Sequence, residues 1–281
     1  MAVRYQQELP REVPSSLPVY QLQRPNATRA QLTEIAKRIA PSENGEREFK
    51  DAGNWLAFRD GLHEFEVNKR SGALGFRHLE KYGVELETPF ELRDQEAVRI
   101  ATGLIEQARL VPMKEARMER VTHLHAALAR MDDGGQPEEK VLDAGVLFRR
   151  TINDVPVTGP GGALMVHIGP EREVVGARRI WRPLGKQAGK VKIRPPEFAA
   201  QRFERLVGGV EGQVVVTKAE LGYFEQGPLE GQTTLQPAYA FVYEVQGEFT
   251  YKSAEAFPAG EKSFGALKGK KRFPSKQETR R

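Results

Sequence analysis

Apolar and polar positions alternate most regularly between Val146 and Leu184, in the run VLFRRTINDVPVTGPGGALMVHIGPEREVVGARRIWRPL. On an extended chain Val146 and Phe148 point to one side, and Leu147 and Arg149 point to the other. The segment Asn153-Asp154-Val155-Pro156-Val157, the cluster Thr158-Gly159-Pro160-Gly161-Gly162 and the pair Gly169-Pro170 each turn the chain. Three turns at a spacing of about ten residues predict antiparallel strands in a β-meander. We expect this stretch to be a scaffold without an active site, with the rest of the chain covering one of its faces.

A helical period appears three times. Leu32, Ile35, Ala36 and Ile39 share a face after a Thr28/Gln31 capping box and before Pro41. Ala97, Ile100, Ala101, Leu104, Ile105 and Ala108 do the same between Pro89 and Pro112. Pro195-Pro196-Glu197 opens the third helix, whose inward residues are Ala199, Phe203, Leu206 and Val207, and Gly208-Gly209 stops it.

Strands are predicted at Val19–Leu22, Asn54–Arg59, Leu62–Asn68, Leu74–Leu79, Val141–Ile152, Gln213–Phe224 and Gln236–Phe249, with Gly185 to Lys190 as a basic loop. Met113 to Met131 matches both periods, because Val121, Leu124, Leu128 and Met131 fit a helix. It has no cap, however, and it runs into Asp132-Asp133-Gly134-Gly135, so we read a strand paired with Val141–Ile152.

A helix followed by strands, three times over, predicts an α+β fold of tandem units with helices packed on curved antiparallel sheets. The expected divisions are an extended arm over 1–18, a first unit over 19–87, an α+β domain of two units over 88–257 and a basic flexible tail over 258–281.

The 281 residues are 39% hydrophobic and 29% charged, a balance that permits a buried core and excludes disorder throughout. There is no cysteine, which removes disulfides, thiolate metal sites and a cysteine nucleophile together. The chain as given carries neither a signal-peptide pattern nor an apolar run of membrane length, which predicts a cytoplasmic location by default. The net charge of +5 is concentrated at the end, where Lys262 to Arg281 hold eight Lys or Arg and one Glu. That tail is expected to be mobile and dispensable for folding, and the remaining body is close to neutral.

Candidate chemistry is sparse. Gly159-Pro160-Gly161-Gly162 lacks the Gly-Lys-Ser/Thr and the following helix that a phosphate loop needs, so it reads as a hairpin loop. His123 and His125 would share a strand face, which is two ligands without a third. His63, His78 and His167 stand alone, no Gly-x-Ser-x-Gly surrounds a serine, and the acidic pair Glu85/Glu87 marks no cleft. No catalytic residue, metal site or cofactor is therefore predicted. Trp55 and Trp181 read as strand core residues or as partner anchors. Arg178, Arg179 and Arg182 beside Trp181 form a basic-aromatic cluster that reads either as a contact for acidic groups or as a solvated strand face.

Phe148-Arg149-Arg150, Val155-Pro156-Val157-Thr158-Gly159-Pro160-Gly161, Trp181-Arg182-Pro183-Leu184, Leu221-Gly222-Tyr223-Phe224 and Leu235-Gln236-Pro237-Ala238-Tyr239 resemble YycH/YycI-type two-component regulatory proteins and the wider group of PepSY and cystatin-like domains. The likeness spans roughly Pro89 to Phe249, with Val19 to Leu79 similar to one more PepSY-like unit. It implies domains that bind or inhibit protein partners, usually outside the cytoplasm. The function expected on this basis is a non-enzymatic interaction, regulatory or inhibitory module acting through a sheet surface or edge, with another protein as partner. The alternative is a nucleic-acid-associated protein in which Lys268, Lys270, Lys271 and Arg272 neutralise phosphates.

Overall fold

The computed structural model describes residues 3–40, 48–83, 90–128, 138–265 and 267. The chain runs β1 (Arg4–Tyr5), β2 (Ser16–Leu22), α1 (Arg29–Ile39), β3 (Glu48–Ala52), β4 (Trp55–Asp60), β5 (His63–Asn68), β6 (Leu74–His78) and α2 (Asp94–Ala108). A 3-10 turn (Met113–Glu115) leads into β7 (Ala116–Leu128), β8 (Glu138–Ile152), β9 (Val155–Thr158), β10 (Ala163–Ile168), β11 (Val174–Ile180) and β12 (Leu184–Lys192). The last elements are α3 (Pro196–Val207), β13 (Gln213–Phe224), β14 (Thr234–Leu235), β15 (Pro237–Gln246) and β16 (Tyr251–Pro258).

Local signals account for most of these elements. Thr28 caps α1, its hydroxyl accepting the Gln31 N–H at 3.3 Å. Arg109 ends α2 in the left-handed region, and Pro112 follows. Asn153 and Asp154 both have positive φ, 48° and 63°, so β8 and β9 are joined by a two-residue turn whose twist matches the strands. The ambiguous segment is strand, since β7 pairs antiparallel with β8 from Ala116↔Arg150 to Leu128↔Glu138. The Asp132–Gln136 turn expected between them lies outside the described residues.

The fold is α+β, built around an antiparallel-dominated sheet of thirteen strands among the described residues, ordered β16-β15-β13-β9-β8-β10-β11-β6-β5-β4-β3. β7 is added at β8, and β1 lies parallel to β13. A second sheet, β12-β2-β14, covers part of the first through Leu22, Leu235 and Tyr20, which pack against Ile152, Val157 and Tyr223. Among the described residues the order is linear, with no closure into a barrel.

One face of the sheet is core. Phe58, Phe65, Phe76, Ala177, Val166 and Val146 stand opposite one another in register across six strands, beneath α1 and α2. The first three rings lie 5.2 and 5.0 Å apart. A second core sits under α3, where Phe203 stacks on Phe241 at 4.9 Å, and Val3, Leu9 and Val13 of the N-terminal arm pack against it. Burying an apolar row of this kind is the main driving force available to the sheet.

Several expectations change. The run from Val146 is not a simple meander, because β9 and β10 both lie along β8. Between them the glycine loop lets the chain leave β8 so that β9 can pair parallel with β13. The predicted basic loop at Gly185–Lys190 is strand β12. Only its Val191 is buried, and main-chain bonding to β2 holds it, so no alternation announced it. Leu206, expected inward on α3, is 45% exposed. The arm is docked by β1 and by Tyr5, whose hydroxyl donates to Glu204 at 3.1 Å. The first part of the tail is docked as well: Phe264 N–H donates to Gln236 Oε1 at 2.8 Å, and Gln236 Nε2 donates to the Gly265 carbonyl at 3.0 Å.

Candidate functional site

Strand alternation separates the four residues of the basic-aromatic cluster. In β11, Arg178 pairs with Met165 and Gly75 and is exposed on the face away from the helices. Arg179 is on the core face, in register with Leu74 on one side and Leu164 on the other, with Phe148 beyond. A guanidinium thus occupies an apolar row. Its Nη1 donates to the Leu110 carbonyl at 2.9 Å and its Nη2 to the Gly72 carbonyl at 3.2 Å, while Nε has no acceptor among the described residues. Burial pulls its pKa down from the usual arginine value to about 10, opposed by Glu225.

Trp181 follows on the same face, 5% exposed, with the Arg150 guanidinium 5.3 Å from its ring centre and its indole N–H without a partner among the described residues. Arg182 is 1% exposed. Its Nη1 donates to the Gln226 carbonyl at 2.7 Å, and its Nη2 donates to the carbonyls of Gly227 and Glu230 at 2.9 and 2.6 Å. Arg182 is therefore an internal clamp on the segment after β13, and the solvated-face reading fails for it.

Arg182 belongs to a buried charge network that was not anticipated. Glu225 is fully buried, accepting from the Arg182 main-chain N–H at 2.8 Å and from Arg150 Nη1 at 3.2 Å. Arg150 also donates to Glu115 at 2.8 Å and to the Arg182 carbonyl at 2.7 Å. Burial pushes the Glu225 carboxyl above its ordinary value, while both arginines act to lower it. A signal was available in the sequence, since Arg150 continues the core face of Val146 and Phe148 and a charge there needs a partner.

Arg150, Arg179 and Trp181 form the floor of a cleft of about 790 Å³. Leu32 and Ile35 of α1 form one wall, and Ile105, Leu110, Val111 and Met113 at the end of α2 form the other. Lys114, Arg109 and Glu106 stand at the rim. Arg179 also lines a smaller hollow of about 390 Å³ between α1 and α2.

The remaining candidates behave as structure. Gly161 N–H donates to the Glu225 carbonyl at 2.9 Å, and Arg149 donates to the carbonyls of Gly161 and Gly159, so the glycine loop is a packed crossover; it is not the expected hairpin loop, because β9 and β10 each pair with β8 and, among the described residues, not with each other. The His123 and His125 rings are 6.4 Å apart, and His123 Nε2 is 3.8 Å from Asp94. No group of three or more His, Asp or Glu among the described residues is placed to hold a metal ion. On the open face the buried Asp143 meets His167 at 3.2 Å, with the Tyr82 ring 5.1 Å from that imidazole. Trp55 is half-buried on β4. Lys268, Lys270, Lys271 and Arg272 lie outside the described residues, as do Glu85 and Glu87. No helix among the described residues is long and apolar enough to cross a membrane.

Comparison with known proteins finds no matching family model and no matching curated protein. Among solved structures, an uncharacterized protein from Eubacterium rectale ATCC 33656 aligns with a TM-score of 0.58 over 90% of this chain and 87% of that one, at 9% sequence identity. At that identity the likeness is one of fold alone.

Proposed function

We propose that this protein is a non-enzymatic interaction module, regulatory or inhibitory in role, that receives a strand of a partner protein along the free edge of β7. The observation that carries this reading is that β7 pairs with β8 along its length and has no strand on its other side among the described residues. An edge of this kind offers unsatisfied main-chain donors and acceptors to a partner strand. Met118 and Leu124 add apolar surface there, being 48% and 42% exposed. Bulges at Met118/Arg120 and Leu124/His125 leave Arg120 to Leu124 as the uninterrupted segment for pairing. The tandem PepSY/cystatin-like arrangement and the kinship with YycH/YycI-type regulators belong to the same proposal, resting on the motifs quoted above and on the α+β architecture.

The test uses the full chain as bait and compares amide hydrogen exchange with and without the captured partner. Protection at Arg120 to Leu124, lost together with capture in a Thr122→Pro variant that retains its melting temperature, is the expected result. Protection elsewhere with none on β7 would overturn the edge mechanism, and capture abolished by moderate salt would point to phosphate contacts instead.

A further inference from the structure

The floor of the α1/α2 cleft presents a chemical mismatch that the folded protein does not resolve internally. Arg179 occupies a position whose neighbours in register are Leu74 and Leu164, where an apolar residue would complete the core. Among the described residues its only hydrogen-bond partners are the neutral carbonyls of Leu110 and Gly72. This sets it apart from its two buried neighbours, since Arg150 and Arg182 both reach Glu225 and Arg150 reaches Glu115 as well. A half-buried guanidinium with no carboxylate in contact is costly, and an anion within reach would offset that cost. Two N–H groups at this floor, Arg179 Nε and Trp181 Nε1, are buried and have no partner among the described residues. Burial lowers the Arg179 pKa by more than the Glu225 carboxylate, which does not touch it, raises it.

The surroundings define the rest of the ligand. Apolar side chains of α1 and of the α2 end wall the cleft on both sides, and the indole of Trp181 lies on its floor. Lys114 and Arg109 at the rim have no ion pair among the described residues; of the two carboxylates in the lining, Glu115 is held by Arg150, which leaves the two cations facing Glu106. A cleft of about 790 Å³ is of the size that holds a small organic molecule with most of its surface buried.

We propose that this cleft binds a small amphipathic carboxylate, with its anionic head on Arg179 and its apolar body between α1 and the end of α2, over Trp181. The head supplies the charge the core lacks, and the body covers the apolar walls. This site is on the helix-covered face and does not depend on the free edge of β7.

The experiment titrates the full-length protein with octanoate, following Trp181 emission in a Trp55→Phe background and binding heat in the unaltered chain. Octanoate is expected to saturate both signals, and octan-1-ol, which has the same chain without the charge, is expected to bind about tenfold or more weakly, as for the loss of a charge-assisted hydrogen bond. Arg179→Met should lower octanoate affinity by a similar factor, and Arg179→Lys should recover part of it. The alcohol arm uses the unaltered chain, so it decides the matter even where Arg179→Met perturbs folding. Octanoate that fails to saturate, or octan-1-ol that binds equally well, would overturn the proposal.

Discussion

Arg150 and Glu225, seventy-five positions apart in the chain, meet at 3.2 Å with side chains 1% and 0% exposed. Arg150 comes from β8, and Glu225 directly follows β13, the two strands flanking β9. The pair therefore sits where the strands over α3 join the strands under α1 and α2.

Glu225→Ala leaves the Arg150 and Arg182 guanidiniums short of their shared carboxylate. Breaking one side of a buried ion pair costs about 3–5 kcal/mol, far more than a surface pair is worth. Urea unfolding should show that loss, and Arg150→Met combined with Glu225→Leu should cost much less than the sum of the two single changes. Additive losses would mean that the two groups do not interact.

Two glycines should respond to alanine with opposite sign. At Gly161 an added Cβ would lie 2.6 Å from the Gln226 carbonyl oxygen, main chain that cannot swing aside, so Gly161→Ala should destabilise by about 1–3 kcal/mol. At Gly103, exposed within α2, nothing lies within 4 Å, and Gly103→Ala should stabilise by about 1 kcal/mol. Thermal melts of the two variants measure both effects.

His63 should make the first sheet hairpins sensitive to acid. Burial and the nearby His78, whose ring is 4.9 Å away, lower the His63 pKa below its ordinary value. The folded state thus disfavours the proton that the unfolded state accepts. Its contribution to stability is present above the unfolded-state pKa and is lost as pH falls through the folded-state value. Melting temperature measured from neutral to mildly acidic pH should decline less steeply in His63→Phe than in the unaltered chain. Equal slopes would assign the acid sensitivity to other groups.

The beginning of the basic tail should contribute to stability. Removing residues 262–281 strips Gln236, 3% exposed, of its bonds to Phe264 and Gly265, and takes away Leu267, which packs on Phe224, Ala238 and Ala256. Leaving a buried amide unsatisfied costs about 1–3 kcal/mol, so this truncation should lower the unfolding free energy by that amount and shift the unfolding midpoint down with it. An unchanged midpoint would restore the expectation of a dispensable tail.

What the sequence determined by itself was local. The Thr28 cap, the proline that opens α3 and the alternation through Phe65, Phe76 and Val146 each specify an element within a few residues, because cap and pleat geometry are set by neighbouring groups; the turn beginning at Asn153 was legible too, but it was read as reaching Val157, whereas Val155–Thr158 is strand β9. The segment Ala116–Leu128 was legible as strand for the same reason, despite its helical spacing. Tertiary structure alone decided which strands became neighbours. The parallel pairing of β9 with β13 and the attachment of β12 to β2 rest on main-chain hydrogen bonds, which carry no side-chain signature. The same holds for the candidate site. Alternation assigns Arg150 and Arg179 to the core face, but only the packing of distant segments brings Glu225 into contact with the one and leaves the other, among the described residues, bonded to main-chain carbonyls at the cleft floor, because a buried charge is compensated by whatever the fold brings within a few ångströms.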